Sequence, residues 1–243
     1  MLVYLATFVG LAWLGVGNPY WMSLIAVALA SVLTITFVDR DWNLGLAARP
    51  AVALKDFAGG TLVAVALIAG ADVLILLFGG LRHGPGTGFP WRELIVIFIP
   101  AVLHEELLFR GYPFQKLYRR WPRFTLVAVA LAFAVVHAGN SNVTMLALLN
   151  IFLGGLLLGL AYALHLRLWF PIGLHLAWNL MSGPVLGYEV SGYVPAATLL
   201  TVVGTGPLWL TGGAFGIEGS ALMSLAELGG IAFLMWRMKR GER

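Results

Sequence analysis

The octapeptide Leu103-His104-Glu105-Glu106-Leu107-Leu108-Phe109-Arg110 sets two adjacent carboxylates, a histidine and an arginine inside an otherwise apolar run. Each such charge placed centrally in a membrane costs roughly 2.5–3.5 kcal/mol on translocon-based scales, so the cluster needs partners, a wet cavity or a function. On a helix Glu106 and Arg110 stand i and i+4, the favourable order for an ion pair, while Glu105 points about 100° away. Further on, Phe133 and His137 are also spaced i and i+4, as are His175 and Asn179, which share one helical face. Together these types suit hydrolysis. A carboxylate can take a proton from water, a histidine can orient that water, and a second histidine with an amide can donate to a tetrahedral oxyanion. Peptide bonds are the natural substrate for such a set.

Other intramembrane protease designs fit poorly. His104-Glu105 is followed by Leu108 where the zinc motif His-Glu-x-x-His needs its second histidine. A Gly-x-Ser-Gly nucleophile is absent, since Leu180 and Glu189 stand two residues before Ser182 and Ser191. Asp72 is the only aspartate within a predicted span, so an aspartyl dyad has no second member.

The elements that must carry these residues follow from composition. Of 243 residues 60% are hydrophobic and only 11% charged, and the mean hydropathy is +0.90, which excludes a soluble domain and predicts an all-α polytopic membrane protein. The net charge of +4 lies in short clusters between apolar runs, an orientation signal and not a nucleic-acid surface. Without cysteine there is no thiol nucleophile, thiolate ligand or disulfide. Apolar runs predict about eight transmembrane helices, near 1–16, 20–38, 57–79, 93–113, 124–139, 144–165, 167–183 and 217–237. The first, with no basic residue before it, reads as a retained span and not a signal peptide. Breakers agree at Asn18-Pro19, Gly79-Gly80, Pro85, Pro90, Pro113, Pro122, Gly139-Asn140 and Pro171. Segment 184–216, rich in Gly, Pro and Thr, reads as an external loop with a re-entrant piece or as one irregular span. The chain divides into N-terminal helices (1–92), a core carrying the polar motifs (93–183) and a C-terminal stretch (184–243), all within one membrane domain.

Twelve of the fifteen Lys and Arg residues fall in loops 39–56, 113–123 and 166–167 and the C-terminal tail, against Arg82 and Arg92 on the other side and Arg110 within a span. The positive-inside rule then places both termini in the cytoplasm, in a multi-pass protein of the plasma membrane. Counted at 1.5 Å per residue from that side, Glu105 and His175 lie about 12 Å deep and His137 about 20 Å deep.

The three patterns resemble those of the CAAX-protease and bacteriocin-processing family, the type II CAAX prenyl endopeptidase or Abi-like proteins. Its motifs Glu-Glu-x-x-x-Arg, Phe-x-x-x-His and His-x-x-x-Asn/Asp stand here as Glu105 to Arg110, Phe133 to His137 and His175 to Asn179, in the family's order, across about 75 residues. The Gly-rich stretch with Gly154, Gly155 and Gly159 also looks like the family's lead-in to its third motif. The resemblance implies an eight-helix fold of the CAAX prenyl protease 2 type, a conical cavity open to the cytoplasm and a glutamate-dependent peptidase without cofactor. Glu105 and His137 would activate water, His175 and Asn179 would form the oxyanion site, and Glu106 with Arg110 would support them. The alternative is zinc held by Glu105, His137 and His175. Membrane lipids and a peptide or membrane-protein substrate are the implied partners, with no nucleic acid.

Two other classes compete with a protease: a non-enzymatic immunity factor or scaffold that keeps the polar cluster for structure, and a proton-coupled transporter, which the lack of internal repeats disfavours. Outside the motifs, Asp72 and Glu227 read as structural pairs, His165 as an interfacial residue, and Gly155 with Gly159 as a close-packing face. His104 reads as a bystander.

Overall fold

The structure, a computed structural model, describes residues 18–39 and 44–241. The predicted first span, 1–16, lies outside them. The chain folds into helices with one small sheet. Helix α1 (Pro19–Thr34) begins where Asn18 Oδ1 accepts the backbone N–H groups of Tyr20 and Trp21, with Pro19 in the first helical position. Proline also opens α2 (Pro50–Leu77), and strand β1 (Leu81–Pro85) follows. A single turn, Trp91–Glu93, and the π-helical segment Leu94–Phe98 lead into α3 (Ile99–Phe109). Then come α4 (Tyr112–Arg120), α5 (Pro122–His137), α6 (Met145–His165, capped by Thr144) and α7 (Trp169–Leu180). Strand β2 (Leu200–Gly204) pairs antiparallel with β1, and α8 (Ala221–Lys239) closes the chain behind the cap Ser220.

Four helical stretches are long and apolar enough to cross a membrane: Pro19–Val38, Pro50–Leu77, Met145–His165 and Ala221–Lys239. Helix α5 is apolar but shorter. The chain is thus helical and membrane-spanning, while the predicted count of eight spans is not established. Polarity is inverted as hydrocarbon solvent requires. Asp56, Asp72, Glu106, Arg110, Asn150 and Glu227 are buried, whereas Leu62, Leu77, Phe124, Leu131, Met145 and Leu225 are exposed.

Several boundaries differ from the sequence reading. The predicted helix 93–113 ends at Phe109 with Arg110 as its cap, and at Gly111 the chain turns so closely that a Cβ there would lie 2.0 Å from the Leu107 carbonyl oxygen. The chain restarts as α4, so the expected basic loop 113–123 is largely helix. Pro171 does not break α7: it sits in the first turn, where no intrahelical N–H bond is lost. Segment 184–216 is neither a span nor a plain loop, since it supplies β2 and the one-turn helix Leu208–Thr211.

Three of the basic loops do meet at one end of the bundle. Arg167 Nε donates to Asp56 Oδ2 at 2.6 Å, Gln115 Nε2 to the Leu44 carbonyl at 3.0 Å, and Leu168 N to the Gly45 carbonyl at 2.8 Å. The opposite end gathers 79–93, 138–144 and 190–218: Asn140 bonds Ser191, Tyr193 bonds Glu93, and Thr205 bonds Gly80.

Helices α2 and α7 touch backbone to backbone. A Cβ at Gly60 would lie 2.0 Å from the Phe170 carbonyl oxygen, and one at Gly173 would lie 2.2 Å from that of Phe57. Gly155 likewise lets α6 meet Ala130 of α5, and Gly159 lies against Leu126. This close approach holds the helix bearing His175 and Asn179 against the bundle. Gly173→Ala should therefore destabilise the protein by about 1–3 kcal/mol, read as a lower thermal midpoint in detergent. Gly70→Ala, in the same α2 but with open space around it, should be neutral or slightly stabilising.

Candidate active site

Glu106 and Arg110 are both 0% exposed, on the last turn of α3. Arg110 Nη1 donates to Glu106 Oε1 at 3.2 Å, and Arg110 Nη2 donates to the Gly155 carbonyl of α6 at 3.2 Å. The guanidinium lies 4.7 Å from the centre of the Phe133 ring of α5. From α7, His175 Nδ1 lies 2.8 Å from the same Glu106 oxygen. One buried charge pair therefore joins α3, α5, α6 and α7.

These bonds constrain the histidines. A carboxylate only accepts, so His175 carries its proton on Nδ1 and turns Nε2 toward Glu105, whose Oε2 is 3.8 Å away. His137 Nδ1 lies 2.7 Å from the Phe133 carbonyl, again a pure acceptor, so neutral His137 keeps its lone pair on Nε2. The Phe133 ring separates the two imidazoles, with centroids 4.5 Å from His137 and 6.1 Å from His175. The i, i+4 spacing of Phe133 and His137 thus serves two local contacts at once.

Glu105, His137, His175 and Asn179 line one cavity of about 730 Å³. Glu105 Oε2 is buried without a hydrogen-bond partner, and among the described residues nothing bonds the Asn179 amide. All seven residues singled out in the sequence lie in one place: four border the cavity directly, Phe133 borders it as well, and Glu106 and Arg110 sit behind. Past Arg110 the chain continues as α4, and Glu105 and His137 line the same cavity. His104, read as a bystander, also lines the cavity.

Reasoning from sequence missed the far wall. Glu218 Oε1 accepts from Trp178 Nε1 at 2.9 Å, and its Oε2 accepts from both the backbone N–H and the hydroxyl of Ser191 at 2.7 Å. This fixes the turn 190–193 over the site. The Ser191-Gly192 dipeptide was the available signal, as Gly192 has φ +83 and a Cβ there would lie 2.3 Å from the Ser141 carbonyl oxygen. Asp72 is paired as expected, to His83 at 2.9 Å and Tyr188 at 2.7 Å. Glu227 is not: it is 2% exposed, its Oε2 has no partner, and it borders the cavity. His165 faces Asp56 at 3.7 Å. Among the described residues no group of three His, Asp or Glu side chains is gathered closely enough to hold a metal ion.

An apolar helical bundle with a polar, histidine- and glutamate-lined cavity defines the class as a membrane protein with a polar cavity inside its bundle. Residues 87–181, the stretch from the approach to α3 through α7, match the model of the type II CAAX prenyl endopeptidase Rce1-like family. That match supports a CAAX-type intramembrane protease in general, which implies membrane lipids and a peptide or protein substrate. Neither the curated proteins nor the solved structures gave a match.

Arg110→Ala should cost about 3–5 kcal/mol of stability, because the fully buried Glu106 carboxylate loses its guanidinium partner and keeps only His175. The double variant Glu106→Gln/Arg110→Met should recover most of that in the same denaturant titration. It should still lack activity, since His175 loses its anionic partner.

Proposed function

We propose that this protein is a glutamate-dependent, metal-independent intramembrane endopeptidase. The observation that carries the reading is the convergence of Glu105, His137, His175 and Asn179 on one cavity, with His175 oriented by the buried Glu106 at 2.8 Å. Water held between the Glu105 carboxylate and His137 Nε2 attacks the scissile carbonyl carbon as Glu105 takes its proton. The carbonyl oxygen becomes an oxyanion and receives hydrogen bonds from Asn179 Nδ2 and from Nε2–H of a His175 imidazolium whose charge Glu106 balances. Collapse of the tetrahedral intermediate breaks the C–N bond, and the proton on Glu105 passes to the leaving amine. No step requires a cofactor.

The cavity lies in the half of the bundle remote from the basic loops. Its walls come from Tyr20 and Ser23 at the start of α1, from 139–141, from 190–193 and from Glu218, all at the opposite end. With the basic loops and both termini in the cytoplasm, as the charge count predicts, the cavity would open to the far side of the cytoplasmic membrane, unlike the cytoplasm-open cavity that the family resemblance implies. We place the substrate bond on that side. The chain has no native cysteine, so single cysteines report directly. Asn140→Cys in intact cells should react with a membrane-impermeant maleimide and Arg119→Cys should react only after permeabilisation; the reverse pattern would overturn this orientation.

In proteoliposomes offered a quenched-peptide library, Glu105→Gln and His137→Ala should each lower kcat by about 10²–10⁴-fold. Asn179→Ala should lower it by about 10²–10³-fold, with thermal midpoints near wild type. Wild-type turnover in the Glu105→Gln protein would defeat the proposal, and loss of activity on stripping divalent ions, restored by zinc, would defeat its metal independence.

A further inference from the structure

Resting on the protease reading, we propose that Glu227 is a specificity residue of the cavity, binding an ammonium or guanidinium group of the substrate. Its carboxylate belongs to α8, outside the three motifs, and is 2% exposed. Oε2 has no hydrogen-bond partner, and no described residue forms an ion pair with the group. An ionised carboxylate in an apolar bundle costs several kcal/mol unless a cation or a proton answers it, and no cation within the described protein reaches this one.

The cavity itself supplies the sign of the missing partner. Its walls carry three carboxylates, Glu105, Glu218 and Glu227, and among the described residues no lysine or arginine lines it. Arg110 is spent on Glu106 and Gly155 behind the wall. Glu218 is also committed, to Trp178 and Ser191. That leaves Glu105 to the water and Glu227 to a ligand. Field lines from three carboxylates in low-dielectric surroundings converge in the cavity and favour a cation there. Access is also built in. Gly154, on the facing helix α6, lines the cavity, and a Cβ there would lie only 3.2 Å from Glu227 Oε1. Glycine keeps that approach open. At about 730 Å³ the space is in the range that holds a ligand of several residues' side chains, large enough to place one cationic group at Glu227 while a peptide bond lies at Glu105.

The cation has two sources, a Lys or Arg side chain or the free amino terminus of a peptide. Full-length protein in liposomes is offered internally quenched peptides that differ only by lysine or norleucine at each position around the cleaved bond, with free or acetylated amino termini. At one position the lysine peptide should be preferred by about 10–100-fold in kcat/KM, chiefly through KM, the range of one charged hydrogen bond. A preference that follows acetylation instead assigns the group to the amino terminus. In Glu227→Gln the preference ratio should fall toward 1. Gly154→Ala, which crowds the carboxylate without removing its charge, should reduce the ratio too and decides the matter if Glu227→Gln does not fold. Equal cleavage of lysine, norleucine and acetylated peptides by the wild type overturns the inference, as does a wild-type ratio in either variant. Either result leaves the protease reading standing. Failure to cut any peptide overturns both.

Discussion

In the hydrocarbon depth of a bundle an arginine persists only where its charge and its hydrogen bonds are answered. Arg110 finds its answers on its own helix and on two others: the Glu106 carboxylate one turn back, the Gly155 carbonyl of α6 and the Phe133 face of α5. Glu106 in turn reaches His175 of α7. Moving any of these helices by an ångström would strand a charge, so the pair acts as a register pin for the motif-bearing helices. The glycines at 60, 155 and 173 allow the close approach that this network demands.

The same pin divides the labour of adjacent residues. Because Glu106 turns into the protein, Glu105 turns about 100° away into the cavity and stays without a partner on Oε2. Because His175 gives its Nδ1 proton to Glu106, its second nitrogen faces Glu105 and the cavity. Preorganisation of this kind fixes donors before substrate arrives, which is where electrostatic catalysis gains most. Across the cavity Glu218 works in the same manner on structure alone, holding the turn at Ser191, while Glu227 has no such duty.

Much of the site was legible in the sequence because its parts are local. Spacings of four residues put Glu106 over Arg110, Phe133 under His137 and His175 over Asn179 whatever the helices do, and charge in an apolar run marks them out. The far wall was not legible. Glu218 and Ser191 stand 27 residues apart and Trp178 and Glu218 stand 40 apart, with no periodicity linking them. Glu227 read as one more acidic residue to be paired, and only the positions of its neighbours leave it alone.

The sequence by itself determined a helical membrane protein, the polar residues set in its apolar runs and which of them share a helical face, since hydropathy and the 3.6-residue repeat are properties of the local chain. Tertiary structure decided the rest. Glu105 and His137 come to line one cavity, Glu106 is shared between Arg110 and His175, and the cavity sits away from the basic loops. Those outcomes depend on distances between helices, which side-chain packing sets and no single segment encodes.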